Sequence, residues 1–377
     1  MCILFLSVSK GNFTICSNRD EYTSRETASA DENNFPNDSN LLAGKDLRAG
    51  GTWLGVNTLT GRFACILNVA PSETMPPNSP SRGFLPLSWL RSQSSQTPKQ
   101  FMTELLASEE NEQRKYAGFS LIIAAMQHNE EGTLLPQVVW GTNSYGQKRG
   151  RTMMASLHEN ERNGGIYSFT NDGRMYAGPN NSMEASFMYW PKARRGWDIL
   201  SKIIQNQNTT RNNDNETDNK DDNKNDNKTD SKNGNRNGNR NDNDTNTLIH
   251  QLMEELLHCT NTNDIFTNVC IDKEQDTTLL SQEDVAKQVL AQQESDEWSE
   301  YVSRNRNLTD KKAEVPIFLE WSSYATRTST ILYYDTNGMK YVDQLYDGSN
   351  GNGNKRTMPI YSLKDPQDPE CIEASKM

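Results

Sequence analysis

From Gln205 to Thr247 the chain contains no aliphatic or aromatic residue, only Asn, Asp, Lys, Arg, Thr, Gly, Ser, Gln and Glu. A stretch of that composition cannot bury enough apolar surface to offset its conformational entropy, so it is expected to be a disordered insert. The folded part must then be assembled from two blocks, residues 1–204 and 248–345, closing over one core, with 346–377 as a C-terminal tail. Both flanks of the insert have helical periodicity. Trp190–Ile204 runs into it, and Thr247–His258 leaves it with Leu248, Leu252, Met253, Leu256 and Leu257 at helical spacing. A long loop between two helices costs little closure entropy.

The remaining segments are mostly strand-like. Cys2–Val8 and Asn12–Ser17 flank Lys10-Gly11 as a predicted hairpin, and Thr52–Asn57 and Arg62–Leu67 repeat the pattern around Thr58–Gly61. Thr97 as a cap and Pro98 as a first helical residue open a helix with Phe101, Leu105 and Leu106 on one face. Gly118–Met126, Leu135–Trp140 and Ile166–Thr170 read as strands, and Ser281 with Asp284 resembles a capping box before Val285 and Val289. The chain closes on Val315–Trp321, Thr328–Asp335 and Met339–Val342, the last two joined by Thr336-Asn337-Gly338. Strands, then helices, then strands predict an antiparallel α+β fold rather than repeating βαβ units.

Composition narrows the function. The net charge is -11, most of it outside the insert, and no basic stripe interleaved with aromatics is present, which argues against a nucleic-acid partner. Cys2–Val8 is too short for a signal peptide and no run reaches the roughly 20 apolar residues of a membrane span. Six cysteines without CxxC spacing fit a reduced, cytoplasmic protein. The terminal Ser375-Lys376-Met377 is a poor relative of a peroxisomal address. There is no GxGxxG, and Gly44-Lys45 is followed by Asp46, so no Walker A loop exists. No HExxH or GxSxG occurs, and none of the four histidines pairs with a cysteine at zinc spacing. No metal or cofactor is called for by these motifs.

The positive signal is Cys2. Removal of Met1 is expected before a residue this small, leaving a cysteine whose α-amine, with an unperturbed pKa of about 7.7–8.0, could accept the thiol proton. Simple apolar packing of a free cysteine is the alternative. In an antiparallel hairpin the end of the second strand lies beside the start of the first, so Arg19 and Asp20 should approach Cys2. The guanidinium would favour thiolate and the carboxylate would orient the ammonium or substrate, unless both are paired within an ion-rich turn. Asn68, ending a strand, is a turn former or an oxyanion donor, and Gly178-Pro179-Asn180-Asn181 has the same two readings. Arg327 is a lone charge entering an apolar strand and needs a partner. Gly50–Gly55 makes a tight turn that places Trp53 in the core or along a pocket.

Met1-Cys2 before an apolar strand, Asn18-Arg19-Asp20-Glu21, Gly50–Gly55, Ser81-Arg82-Gly83 and Tyr324–Thr330 together resemble the NRDE-motif family, also called the transport and Golgi organisation protein two family. That family is regarded as similar to N-terminal nucleophile hydrolases, which implies an αββα four-layer sandwich. Within that superfamily the pattern looks most like the bile-salt hydrolase and acid ceramidase branch, which cleaves linear amides. The resemblance implies Cys2 as nucleophile, Arg19 and Asp20 as its neighbours, Asn68 as oxyanion donor, Asn180 as a second polar group and Arg327 as a late arginine. Arg19 and Asp20 are adjacent here, whereas the branch separates them, and neighbours in a strand point to opposite sides. If Arg19 faces the site, Glu21 becomes the candidate carboxylate, and Asn181 competes with Asn180. The family carries no settled reaction. Its proposed roles in secretory-pathway organisation and in haem or acyl-CoA and lipid handling leave three readings. These are a hydrolase of a linear amide or thioester, a haem- or acyl-CoA-binding carrier with Cys2 as ligand or wall, and a scaffold.

Overall fold

The computed structural model describes residues 2–69, 79–93, 95–110, 116–131, 133–148, 150–158, 165–177, 193, 195–207, 245–258, 324–335 and 338–346. Residues 208–244 of the expected insert, the Ser281 capping box, the Val315–Trp321 strand, Asn180, Asn181 and the chain beyond Tyr346 lie outside the described residues.

The architecture is mixed α+β, with two antiparallel sheets. One joins β1 (Ile3–Ser9), β2 (Asn12–Tyr22), β10 (Ile166–Phe169), β11 (Met175–Tyr176), β12 (Tyr324–Asp335) and β13 (Gly338–Leu345) in the order β11-β10-β1-β2-β12-β13. The other runs in chain order through β3 (Thr27–Asp31), β4 (Leu41–Asp46), β5 (Leu54–Asn57), β6 (Arg62–Asn68), β7 (Phe119–His128), β8 (Leu134–Thr142) and β9 (Met153–Leu157). The pairing of β2 with β12 unites the two sequence blocks: Cys16 lies opposite Ile331 and Asn18 opposite Ser329.

Period-two alternation divides each strand of the first sheet between two cores. Leu4, Leu6, Val8, Phe13 and Ile15 meet Phe63, Cys65 and Leu67 of the second sheet, and the Phe13 and Phe63 rings touch edge to face at 5.5 Å. Ile3, Phe5, Cys16, Ile331 and Tyr333 point the other way and pack on helices α3 (195–207) and α4 (245–257, π-helical over Leu252–Leu257) through Leu200, Ile203, Leu252 and Leu256. Both faces of β1 and β2 are therefore covered, which is why β1 reads as an unbroken apolar run. Helices α1 (Phe84–Leu90) and α2 (Pro98–Glu110) pack on strands of the second sheet.

Thr97 caps α2 as its sequence predicted. Gln100 N donates to Thr97 Oγ1 at 3.2 Å and Thr97 N donates to Gln100 Oε1 at 3.0 Å, a reciprocal box. The helices flanking the insert reach further than their apolar residues indicate, since α3 continues to residue 207 and α4 starts at 245. Once nucleated by the packed turns, a helix extends through polar residues at little cost.

Candidate active site

Cys2 stands one residue before β1. By alternation with Leu4 and Leu6 its side chain belongs to the space between the sheets, where it is half-buried against that core. Ile3 pairs with Asn18, so one further step of the β1–β2 register sets Arg19 across from Cys2. Arg19, 6% exposed, lies on this inter-sheet face. Its guanidinium sits 4.4 Å above the Trp53 ring, Nη1 donates to Thr27 Oγ1 at 3.2 Å, and Nη2 is 3.6 Å from Glu21 Oε2.

The pleat sends Asp20 to the opposite face. Asp20 Oδ1 accepts from Thr326 Oγ1 at 2.7 Å, and it is the Asp20 backbone carbonyl that accepts from Cys2 Sγ at 3.6 Å. Glu21, two residues from Arg19, is the carboxylate that shares its face. Burial pushes the Cys2 thiol pKa above its usual value. The positive chain terminus pulls it down, the Asp20 carboxylate raises it, and Arg19 and the Asp20 carbonyl contact lower it again.

Arg327 is the extra residue of a β-bulge, because Thr326 pairs with Asp20 and Thr328 with Arg19. Bulges re-aim side chains, and here Arg327 Nη1 donates to the Thr23 carbonyl at 2.6 Å, in the turn after β2. Asn68 closes β6, exposed, and the pleat turns its side chain away from the face that carries Cys65. Its backbone carbonyl is the engaged group, accepting from Asn171 Nδ2 at 2.5 Å. The geometry thus brings Cys2, Arg19, Glu21 and Trp53 to one face, and sets Asp20 and Arg327 beside them through the sheet.

Several neighbours were not singled out by sequence. Asp343 of β13, 1% exposed, accepts from Thr330 Oγ1 at 2.6 Å and from Ala30 N at 2.9 Å. Burial raises its pKa, against the two hydrogen bonds and the positive charge of Arg19. Arg25 donates to Asp46 Oδ2 through Nε at 3.0 Å and Nη2 at 2.7 Å, while Asp46 Oδ1 accepts from Arg48 N at 3.0 Å and Ala49 N at 3.2 Å. Burial raises the Asp46 pKa, but the Arg25 hydrogen bond, the Ala49 N–H and the charges of Arg25 and Arg19 bring it below the usual carboxylate range. Cys65 faces Cys2 across the sheets. Burial and the Cys2 charge raise its pKa, and a hydrogen bond with Ser17 opposes them.

Two glycines make room for this arrangement. A Cβ on Gly51 would lie 2.7 Å from the backbone of Gly83, so the Gly50–Gly55 turn and the Ser81–Gly83 turn meet backbone to backbone, with Thr52 N donating to Gly83 O at 3.1 Å. A Cβ on Gly44 would fall 2.4 Å from the Trp53 indole. Gly44→Ala should therefore push Trp53 off its position and loosen the support under Arg19. The expected result is a loss of about 1–3 kcal/mol in urea unfolding and slower alkylation of Cys2 at fixed pH. Unchanged stability and alkylation would show that Trp53 has space to spare.

Asp343 makes a pH-dependent prediction. Its folded pKa lies above its unfolded one, so across that window the native state holds more protons than the unfolded chain. Stability from this group falls as pH rises through the window. Asparagine keeps an acceptor for Ala30 N and can donate to Thr330 Oγ1. Asp343→Asn should stay within about 1 kcal/mol at neutral pH and remove this falling component, so that the stability of the variant relative to the wild type rises with pH between about pH 4 and 8. A variant whose stability relative to the wild type falls as pH rises would reverse the assignment.

An α+β protein of two facing antiparallel sheets, with a thiol at the mouth of its first strand opposite a buried arginine, is the class defined so far. The chain belongs to the Transport and Golgi organisation 2 family, whose sequence model matches residues 1–347. Comparison with curated proteins finds no match. Among the described residues no helix is long and apolar enough to cross a membrane.

Proposed function

We propose that this protein is a Cys-dependent hydrolase of the N-terminal nucleophile type, acting on a linear amide or thioester, and that its sheets and helices form the αββα sandwich of that superfamily. The observation that carries the reading is the half-buried Cys2 thiol at the start of β1 with the Arg19 guanidinium across the strand pair on the same face. The helices packed against each sheet are consistent with the layer order. In this reading Cys2 Sγ attacks the carbonyl carbon, its proton passes to the freed α-amine, and the leaving amine or thiol departs with that proton. Water then hydrolyses the acyl-thioester on Cys2. Arg19 lowers the cost of the thiolate, and Trp53, Thr27 and Glu21 hold Arg19 in place.

Asn68 as an oxyanion donor requires its amide to turn toward Cys2, and Asn180 and Arg327 remain proposed polar partners of the substrate. The test is a panel of linear acyl amides and acyl thioesters assayed for hydrolysis, with acyl-Cys2 sought by mass spectrometry after rapid quenching. Hydrolysis with a transient acyl adduct on Cys2 is expected. Hydrolysis without that adduct would remove the mechanism. No hydrolysis, together with a haemin spectrum that changes on binding and reverts in a Cys2 variant, would favour the carrier reading instead.

A further inference from the structure

Beside Cys2, on the side away from Arg19, the first sheet continues into β10. Leu4 pairs with Phe169 as the last pair of this ladder, and Asn171, in the turn two residues past β10, lies at the end of the sheet where Cys2 precedes β1. Tyr167 and Phe169 both belong to the inter-sheet core, and Asn171 follows them at the same parity. Its side chain crosses the gap: Nδ2 donates to the Asn68 carbonyl at the end of β6, 2.5 Å away. Asn171 therefore bridges the two sheets at the mouth that Cys2 occupies.

That bond fixes which way the amide points. The Asn68 carbonyl can only accept, so the nitrogen must face it and the oxygen must face away. Asn171 Oδ1 is buried, and among the described residues no donor reaches it. A buried acceptor without a donor is unfavourable, and native sites that keep one usually have a use for it. The end of the sheet that carries Cys2 thus holds a cation, Arg19, and a buried carbonyl oxygen with its amide fixed by Asn68. The oxygen complements an N–H and has nothing to offer an ester or thioester.

We infer that Asn171 is a specificity-determining residue of this site, its Oδ1 accepting an N–H from a carboxamide bound against Cys2. The inference rests on the nucleophile reading above and narrows it, favouring a carboxamide that carries N–H over a thioester or a tertiary amide. A site built to hydrogen-bond an N–H rejects the analogue that lacks it, because its own acceptor is left unmet.

The experiment compares the rate at which the full-length chain is alkylated on Cys2 by a secondary chloroacetamide and by its N-methyl tertiary counterpart. Each rate is divided by that of a free thiol under the same conditions. A preference for the secondary amide on the order of 5- to 100-fold is expected. Asn171→Leu should collapse that ratio to about one while Cys2 remains reactive toward both probes. If the variant fails to fold, the wild-type ratio decides alone. A ratio near one in the wild type, or an unchanged ratio in a folded Asn171→Leu chain, overturns the inference and leaves the nucleophile reading standing. Failure of both probes to modify Cys2 overturns that reading and the inference with it.

Discussion

Cys2→Ala should abolish turnover on any substrate found for this protein while leaving the fold intact. The thiol is the only group in the proposed mechanism that bonds to the substrate, so its loss should reduce the rate by at least about 10⁴. Stability should change by no more than about 1 kcal/mol. The thiol is half-buried, and its hydrogen bond to the Asp20 carbonyl, at 3.6 Å through sulfur, is weak. Arg19 keeps Thr27, Glu21 and Trp53 in the variant. Turnover measured beside urea unfolding separates the two effects. A variant that still turns over substrate removes Cys2 from the mechanism, and one that unfolds early makes it a packing residue.

The largest loss of stability is expected far from the thiol, at Arg62. This residue is 2% exposed, and its guanidinium lies 4.0 Å from the Trp89 ring on the side of the second sheet that carries α1. Nη1 donates to the Trp89 carbonyl at 3.4 Å and to Ser92 Oγ, and Nη2 donates to the carbonyls of Gln93 at 2.5 Å and Gln96 at 2.9 Å. One side chain thus gathers the acceptors left at the end of α1 and in the segment that follows, where a cation is also favoured by the helix dipole. Arg62→Ala removes the charged donor from all four acceptors, although the Trp89 carbonyl keeps Ser92 N and Oγ and the Gln93 carbonyl keeps Gln96 N, and it opens a void beside Trp89. It should cost about 3–5 kcal/mol in urea unfolding at neutral pH. Arg62→Lys should recover less than half of this, because an ammonium cannot spread its donors across that fork. A loss below about 1 kcal/mol for the alanine variant would show that water replaces the guanidinium freely.

Sequence made the strand pairs that build the site legible, since Cys2–Val8 and Asn12–Ser17 announce a hairpin by their turn and apolar runs. The hairpin in turn places Arg19 beside Cys2. Pleat geometry also separates Arg19 from Asp20 and puts Glu21 with Arg19, as the ion pair at 3.6 Å reflects. What stayed hidden came from other strands. Asp343 lies past the point where the apolar run Met339–Val342 ends, and its partners Ala30 and Thr330 are distant in sequence. β3, Thr-Ala-Ser-Ala-Asp, has no large apolar residue to give a period. α1, Phe-Leu-Pro-Leu-Ser-Trp-Leu, is apolar on nearly every side and contains proline, so periodicity could not identify it. Gly44 and Asp46 entered only as a phosphate loop that fails. Their actual roles, clearing space for Trp53 and holding Arg25, depend on contacts across the sheet.

The most direct measurement is intact-protein mass spectrometry of the natively purified chain, before and after an acylating probe, with the modified residue mapped. The nucleophile account predicts a mass lacking Met1 and a single adduct on Cys2, with buried Cys16 and Cys65 unmodified. A chain that keeps Met1, or one labelled elsewhere while Cys2 stays free, would contradict it.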